Sequence, residues 1–495
     1  MRPKETNSEP TNSRFAVFCL FMTAFPLSFL VGYHMTWLSP VLPALKIAFN
    51  ETYKNRYGEY LTEDTWTTLL TLSSSSMIVG AFLSGPFGKV MLRFISTKHL
   101  VQLCHVMNLI AVAITALIGG LTWSYESFMM GRLLAGLASG LAYVTIPVTL
   151  AETSARKTQA FWQSMFGVSV ALSAVVAVSL SHPKVLGSLY RWPIAISMIS
   201  IPSVAYLVAS VRISETPYYL TRNGHKEEAI ALLQRLRKDK DSHSMEQELD
   251  RIQNEIDLAK KQLGIGQIIK TSQYRNQLFA VFALLANMSL TGITNMFLYM
   301  DLIFTDAGVK PEVAPFATIG VFFLQFVVTC FGPKLVMKFG GWKTNVTASS
   351  IIIFTHVLFT ISQAAKHLAP TSMPYLAIVA VALFLVVWSV GTQLATFALI
   401  SEITIEPTRA TCLSYGTMVL WFSSWICGFL PPYFQLSLKA YRMVPWLVCT
   451  IFFLIYTIVF VPETKDKTIE EIQAKFHGKG DKVDNANVPL KTVQM

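Results

Sequence analysis

Charged side chains are scarce in the long apolar runs of this sequence, and most of those near a run lie at its end. Such a charge needs an oppositely charged partner or water, because lipid offers it neither. Two interpretations fit these positions: ion pairs between neighbouring segments, or long side chains that anchor a segment at the membrane surface. The positions are Arg93, Glu152, Glu215, Glu402, Arg409 and Glu463.

An imidazole, His34, lies inside the first apolar run, where a group that titrates near neutral pH is unusual. Two hypotheses are open for it. In the first, His34 lines a central cavity near Arg132 and makes the activity or the conformation of the protein pH-sensitive. In the second, His34 stays neutral and only makes hydrogen bonds. Asp301 is a second titratable candidate with two alternatives: a buried acid, or a helix-end residue near the outer mouth that water reaches.

Residues for covalent chemistry follow no recognisable pattern. The sequence has no phosphate-binding glycine loop, no cluster with metal-ligand spacing, and no ordered nucleophile and base. The six cysteines lie in or beside apolar runs, as small packed side chains do, without the spacing of a disulfide framework. We therefore expect a protein that is not an enzyme and uses no cofactor. Nothing resembles a selectivity filter either, which disfavours a channel.

The elements that must position these side chains are membrane-spanning helices. Of the 495 residues, 53% are hydrophobic and only 14% are charged, whereas soluble domains carry about a quarter charged residues. Each span needs about 20 apolar residues. The expected spans are Phe15–Trp37, Trp66–Phe87, Leu100–Ile118, Phe128–Leu150, Phe161–Leu180, Pro193–Val211, Leu278–Phe304, Phe316–Met337, Val346–Ile361, Tyr375–Ile400, Leu413–Leu430 and Trp446–Phe460.

A long polar stretch divides the twelve spans into two blocks of six. Its apolar residues recur at helical spacing, which predicts short amphipathic helices on a membrane surface. The net charge of +11 comes largely from basic residues in short loops on the side of this stretch, so that side is expected to be cytoplasmic. The expected divisions are a cytoplasmic N-terminus (1–14), a six-helix bundle (15–211), the linker (212–276), a second six-helix bundle (277–461) and a cytoplasmic tail (462–495).

Three asparagines lie in glycosylation sequons. Asn287 falls inside a span and Asn345 in a predicted cytoplasmic loop, so neither is expected to meet the lumenal machinery. Asn50 lies in the long first outer loop and is the predicted acceptor. Small residues also recur through the fourth span, from Gly131 to Gly140, and predict close helix packing.

Short motifs follow one another along almost the whole chain. They are Gly131-Arg132-Leu133-Leu134 with Pro147 and Glu152, Ser214-Glu215-Thr216-Pro217-Tyr218-Tyr219-Leu220, Ser401-Glu402-Ile403 with Arg409, Trp421, and Val461-Pro462-Glu463-Thr464-Lys465-Asp466-Lys467-Thr468. This series resembles the sugar porter family of the major facilitator superfamily. Within the family, the animal facilitative glucose and fructose transporters are most similar, through Gly32-Tyr33, Ser39-Pro40, the run around Asn50, and Tyr299-Met300-Asp301.

The resemblance implies an all-α membrane protein in which two six-helix bundles rock around a central site by alternating access. It implies no covalent chemistry, a plasma-membrane location, and a small-molecule substrate rather than a nucleic acid or an obligate protein partner. It also implies that cytoplasmic charges pair across the bundles and gate transport. The implied gating residues are Arg93, Arg132, Glu152, Glu215, Glu402, Arg409 and Glu463.

The expected sugar site departs from the family pattern. The fifth-span Gln is Gly167, the Gln-Gln-Leu-Ser-Gly-x-Asn run of the seventh span is replaced, and Leu394-Ala395-Thr396 stands where a Pro-x-Pro hinge is usual. A hydroxyl left unmatched in a dry pocket is costly, so lost amides bear on the substrate. The candidate binding residues are Gln325, Asn295, Thr294, Ser289, Met288, Gln393, Phe397, Gly167 and His34.

Three functions remain open from the sequence. The first is a facilitative carrier of a hexose, glucose or fructose. The second is a carrier of the same fold for a less hydroxylated solute, which the lost amides favour. The third is a sensor or receptor that binds without transporting, which the missing hinge prolines and gate charges favour.

Overall fold

The computed structural model describes residues 11–238 and 242–476, and this part of the chain is almost entirely helical. Eleven of its helices are long and apolar enough to cross a membrane, and a twelfth apolar helix has 17 residues. The helices are α1 Arg14–Thr36, α2 Glu63–Phe94, α3 Thr97–Thr122, α4 Tyr125–Thr153, α5 Arg156–Leu180, α6 Trp192–Ser210, α7 Ser272–Asp306, α8 Ala314–Phe339, α9 Gly341–Ala364, α10 Met373–Ile403, α11 Glu406–Phe429 and α12 Val444–Phe460.

The twelve helices pack as two groups of six. In the first group α4 packs on α2 and α3, and α1 packs on α5; in the second, α11 packs on α7, and α9 packs on α10 and α12. The groups meet along two seams, α2 against α11 and α5 against α8. The predicted all-α fold of two six-helix bundles is confirmed.

Short amphipathic helices join the two bundles, as predicted. They span Pro217–Arg222, Lys226–Leu236, Ser242–Lys260 and Ile265–Lys270, and their apolar residues form a small core of their own. The N-terminal segment lies on them, since the backbone N–H of Ser13 donates to the carbonyl of Leu236 at 2.8 Å. We call this side of the molecule the linker face and the other side the opposite face.

Two predicted loops are helical in the structure. The first outer loop contains the helix Leu38–Tyr57, so Asn50 is a half-buried helical residue rather than a loop residue. Asn345 lies in the second turn of α9 and is fully buried, whereas a cytoplasmic loop was predicted there. The reason is Gly340: its φ of +85° reverses the chain between α8 and α9 in a single residue.

Helix α7 is broken in its middle, and α10 changes its winding. The break separates Ser272–Leu290 from Ile293–Asp306, and Gly292 at the break has φ +92°. In α10 the segment Trp388–Leu394 is a π-helix, a feature often found at functional sites. Both irregularities are near the middle of the bilayer-spanning length, where free backbone groups must be buried by neighbouring helices.

The small residues of α4 let α2 approach closely. A Cβ added to Gly136 would stand 1.8 Å from the carbonyl oxygen of Met77, and one added to Gly140 would stand 1.9 Å from Oγ of Ser84. Neither position therefore accepts a larger residue without moving a helix. The packing predicted for this series is confirmed.

Candidate functional site

A buried amide, Gln325, lies near the middle of one helix of the second bundle. Gln325 lies near the centre of α8 and is only 4% exposed, yet its Oε1 has no hydrogen-bond partner within the described residues. Buried carbonyl oxygens are normally paired, so an unpaired one at mid-depth is available to a solute or to water. Gln325 is therefore the strongest candidate binding residue.

Two predicted binding residues of α7 are engaged within their own bundle. Oγ of Ser289 donates to the carbonyl of Leu420 at 3.2 Å and lies 2.7 Å from Oγ of Ser424. The carbonyl of Met288 accepts a 2.8 Å hydrogen bond from Nε1 of Trp388. These contacts join α7 to α10 and α11, so the two residues shape the wall that carries the site.

Beyond the break in α7, Thr294 and Asn295 are buried as well. Nδ2 of Asn295 lies 3.9 Å from Sδ of Met443, just ahead of α12. The amide group of Asn295 is therefore engaged within its own bundle, and no side-chain hydrogen bond among the described residues joins it to Gln325.

Aromatic rings close the space between the bundles on the linker side of Gln325. Tyr143 of α4 lies 6.4 Å from Phe397 of α10 and 5.6 Å from Trp421 of α11, measured between ring centroids. Gln393, one turn before Phe397, is half-buried. Sequence reasoning missed Tyr143; the available signal was a large aromatic residue in a span otherwise rich in small ones.

Gly167 of α5 faces the second bundle across the seam. A Cβ placed there would meet Cδ2 of Leu394 at 3.6 Å and Cγ2 of Thr329 at 4.0 Å, which are ordinary contacts. Gly167 therefore leaves space for a solute but offers it no side-chain hydrogen bond. The apolar side chain of Leu394 in α10 faces this position.

His34 lies inside the first bundle rather than in the gap between bundles. Its Nε2 is 2.7 Å from Oδ1 of Asn108, whose Nδ2 donates to Oγ of Ser203 at 2.9 Å. Its backbone carbonyl accepts a 2.7 Å hydrogen bond from Arg132. The proximity to Arg132 is as hypothesised, but the ring is directed at α3, so we leave His34 out of the proposed binding site.

Arg132 lies farther from the linker face than the other gating candidates. It lies two turns into α4 from the opposite face, is 1% exposed, and also donates to the carbonyl of Ser74 at 3.3 Å. Its guanidinium lies 5.9 Å from the ring of Trp37. It joins α1, α2 and α4 within one bundle, away from the charges of the linker face.

The acids of the first bundle at the linker face are held by hydroxyl groups and a histidine. Oε2 of Glu152 accepts hydrogen bonds from Thr216 at 2.7 Å and from Thr97 at 3.2 Å. Oε1 of Glu215 lies 3.2 Å from Nδ1 of His99. Arg93 belongs to α2, but its side chain is outside the part of the chain that the structure describes.

The second bundle repeats this arrangement. Oε2 of Glu402 accepts a 2.6 Å hydrogen bond from Thr464, and Nη2 of Arg409 donates to the carbonyl of Thr404 at 3.0 Å.

Glu463 of the tail also has a partner in the second bundle. The Lys343 ammonium, 2.9 Å from Oε1 of Glu463, donates to this carboxylate and lowers its pKa below the ordinary value. Each of these contacts lies within one bundle or joins it to the polar segment that follows it, so they leave the two bundles free to separate at the linker face.

The opposite face carries a direct contact between the bundles. Oγ of Ser39, in the helix after α1, accepts a 3.0 Å hydrogen bond from the backbone N–H of Asp301 in α7. The Asp301 side chain is 7% exposed and accepts a hydrogen bond from Thr318 of α8. Of the two alternatives for Asp301, a buried acid or a water-exposed helix end, the structure shows the buried acid, at the junction of the bundles.

The chain forms two six-helix bundles, with a buried amide at mid-depth in the second and hydrogen-bonded acids at one face. These features are those of a two-bundle membrane carrier. The family model described as "Sugar (and other) transporter" matches residues 19–476. The chain belongs to this family. As predicted, it is therefore a multi-pass membrane transporter and not an enzyme.

Named relatives cover nearly the whole chain. The mouse protein "Solute carrier family 2, facilitated glucose transporter member 7" is 26% identical over 95% of this chain and 91% of its own length. The horse member 5 is 25% identical, over 92% of this chain and 90% of its own. The inward-open structure of the xylose transporter XylE from E. coli superposes with a TM-score of 0.77 at 17% identity, over 92% of this chain and 99% of that one, and shares its fold.

Proposed function

We propose that this protein carries a hexose, glucose or fructose, across the plasma membrane by alternating access. The observation that carries the proposal is Gln325, a buried amide at mid-depth with an unpaired oxygen, where a sugar hydroxyl can donate a hydrogen bond. The names of the mouse and horse relatives support a hexose, and that of the bacterial structure supports a sugar.

The proposed binding site is narrower than the set of candidates. Oε1 of Gln325 accepts a hydrogen bond from the solute. Gln393 and Phe397 line the site on its linker side, and the rings of Tyr143 and Trp421 add aromatic surfaces. Ser289, Met288, Thr294 and Asn295 shape α7 behind this surface. Aromatic rings suit the apolar faces of a sugar ring, while the amide fixes its orientation.

A less hydroxylated solute is the second candidate, and the position of Gly167 favours it. Gly167 and Leu394 face each other without a polar atom, so the first bundle contributes few hydrogen bonds at this level. A sensor that binds without transporting is the remaining alternative.

Counterflow separates these functions. Proteoliposomes preloaded with unlabelled fructose or glucose should accumulate external labelled sugar transiently, because a carrier exchanges its solute across the membrane. A sensor would bind labelled sugar but show no counterflow. A carrier of another solute would show neither sugar binding nor counterflow.

The charged residues of the linker face are the proposed gate. Arg93, Glu152, Glu215, Glu402, Arg409 and Glu463 would exchange partners across the bundles when that face closes. The proposal assigns the linker face, with both chain ends, to the cytoplasm, in agreement with the basic loops on that side.

Asn50 is the proposed glycosylation site on the extracellular face. Its Oδ1 accepts a 2.8 Å hydrogen bond from the N–H of Leu61. The atom that carries a glycan is Nδ2, which takes no part in that bond. Glycosidase treatment should increase the mobility of the wild-type protein but leave Asn50→Gln unchanged. A shift that persists in the variant would exclude Asn50 as the sole acceptor.

A further inference from the structure

We infer that Leu394 is a specificity-determining residue, whose isobutyl group fills the gap between the bundles and limits the size of the solute. The inference rests on the proposed function, because it concerns the site beside Gln325. Leu394 is the last residue of the π-helical segment of α10.

Leu394 is seated in a notch of its own bundle. A Cβ added to Gly332 of α8 would lie 2.5 Å from Cδ1 of Leu394, so a side chain there would displace this methyl group. Gly332 is therefore the notch that receives one methyl group of the leucine. Val390, one turn earlier on the same helix, contacts the same notch, with Cγ2 3.5 Å from the Cβ position.

The second methyl group of Leu394 reaches the other bundle. Its Cδ2 is the nearest atom to the Cβ position of Gly167 in α5, at 3.6 Å, and Thr329 is next at 4.0 Å. Thr329 is one turn from Gln325 and donates to its backbone carbonyl at 2.8 Å. Leu394 thus lies between Gly332 of the second bundle and Gly167 of the first. It is also close to Thr329, which is one turn from the proposed binding amide of Gln325.

This placement gives the leucine a steric effect and a chemical effect. It occupies volume that a solute bound at Gln325 would need in order to extend toward the linker face. Its methyl groups also offer no hydrogen bond, so a hydroxyl placed against them would lose its partner in water. A single sugar ring that ends before Leu394 is favoured, and a second ring is excluded.

Transport selectivity tests this effect. In Leu394→Ala, uptake of a disaccharide such as maltose relative to glucose should rise at least about fivefold, since hydrophobic truncations change pocket selectivity by this order. Val390→Ala is the matched control, because it trims the same notch without reaching Gly167, and its ratio should stay at the wild-type value. Gly167→Val in the Leu394→Ala background refills the gap and should lower the ratio again.

Thiol labelling tests the geometry without requiring transport. With Cys330 and Cys449 replaced by Ala, Gly167→Cys should react with a small hydrophilic thiol reagent at least about fivefold faster when Leu394 is Ala than when it is Leu, since cysteine reactivity follows exposure. Equal labelling rates in the two backgrounds, or a maltose-to-glucose ratio that rises equally in Val390→Ala, would overturn the inference. Wild-type protein that transports no sugar would refute the proposed function, while labelling would still decide whether Leu394 closes the gap.

Discussion

Thr464, in the tail that follows the last helix, donates a 2.6 Å hydrogen bond to Oε2 of Glu402 at the end of α10. In the first bundle, Thr216 donates a 2.7 Å hydrogen bond to Oε2 of Glu152. Each glutamate ends the fourth helix of its bundle, and each threonine follows the sixth. The two halves of the protein therefore use one device to tie the polar segment after the bundle to its linker face.

The two threonine bonds should differ in strength. A hydrogen bond to a charged group contributes about 1.5–3 kcal/mol when buried. Glu152 is partly buried, whereas Glu402 is exposed and screened by water. We expect Thr216→Val to lower the apparent melting temperature in detergent more than Thr464→Val. Thr417→Val is the control, because that hydroxyl bonds only within α11. An equal loss in all three variants would mean that the carboxylates are not involved.

The linker is fastened by a buried ion pair. Arg237 and Glu248 are 2% and 7% exposed in their side chains and 2.7 Å apart, and Nη1 of Arg237 donates to the carbonyl of Thr153 at 3.0 Å. Removing one partner of such a pair costs about 3–5 kcal/mol, because the other charge stays buried.

We expect Arg237→Met to lower the free energy of unfolding by about 3–5 kcal/mol, as followed by thermal unfolding. The double variant Arg237→Met/Glu248→Leu should recover part of this loss. The exposed pair of Lys46 and Glu63 is the control, and Lys46→Met should cost less than about 1 kcal/mol. A double variant less stable than the single one would contradict the prediction.

The contact of α2 with α4 depends on the absence of a side chain at Gly136. An added methyl group would collide with the backbone of Met77, and overpacking of this kind costs about 1–3 kcal/mol or more. Gly136→Ala should therefore lower the yield of folded protein on size-exclusion chromatography. Gly320→Ala, in α8 with no atom within 4 Å of the added Cβ, should leave it unchanged. Equal behaviour of the two variants would contradict the packing described here.

The environment of His34 favours the neutral, hydrogen-bonding role. The ring contacts Asn108 inside the first bundle and does not face the proposed solute path. We expect the ratio of uptake at about pH 5.5 to uptake at about pH 7.5 to be the same in wild type and in His34→Asn, although free imidazole titrates in that range. A pH dependence of the wild type that His34→Asn abolishes would support the pH-sensitive hypothesis instead.

The helices and their grouping could be predicted from the sequence because lipid forces every backbone group into a helix, and apolar length alone reveals the spans. The helix Leu38–Tyr57 was missed because it is too polar to read as a span, with Lys46, Glu51, Lys54 and Arg56 in its sequence. Asn345 was misplaced because one glycine, Gly340, replaces the expected loop.

Side-chain directions were less predictable than helices. Motifs identified Glu215 and Glu463, whereas the neighbouring hydroxyls of Thr216 and Thr464 make the contacts with Glu152 and Glu402. Likewise, Tyr143 belongs to no motif, and its role follows only from the packing of two bundles. Which face of a helix meets the other bundle depends on contacts between residues far apart in sequence.

The most direct test of the central claim is uptake of radiolabelled glucose and fructose into proteoliposomes by wild type, Gln325→Ala and Gln363→Ala. Gln363 is the matched control, an amide in α9 that is 5% exposed and lies at the opposite-face end of its helix. We expect saturable uptake of at least one sugar, retained in Gln363→Ala and reduced about tenfold or more in Gln325→Ala, as for a lost hydrogen bond of about 1.4 kcal/mol. Absence of uptake by well-folded wild type, or equal uptake by all three proteins, would contradict it.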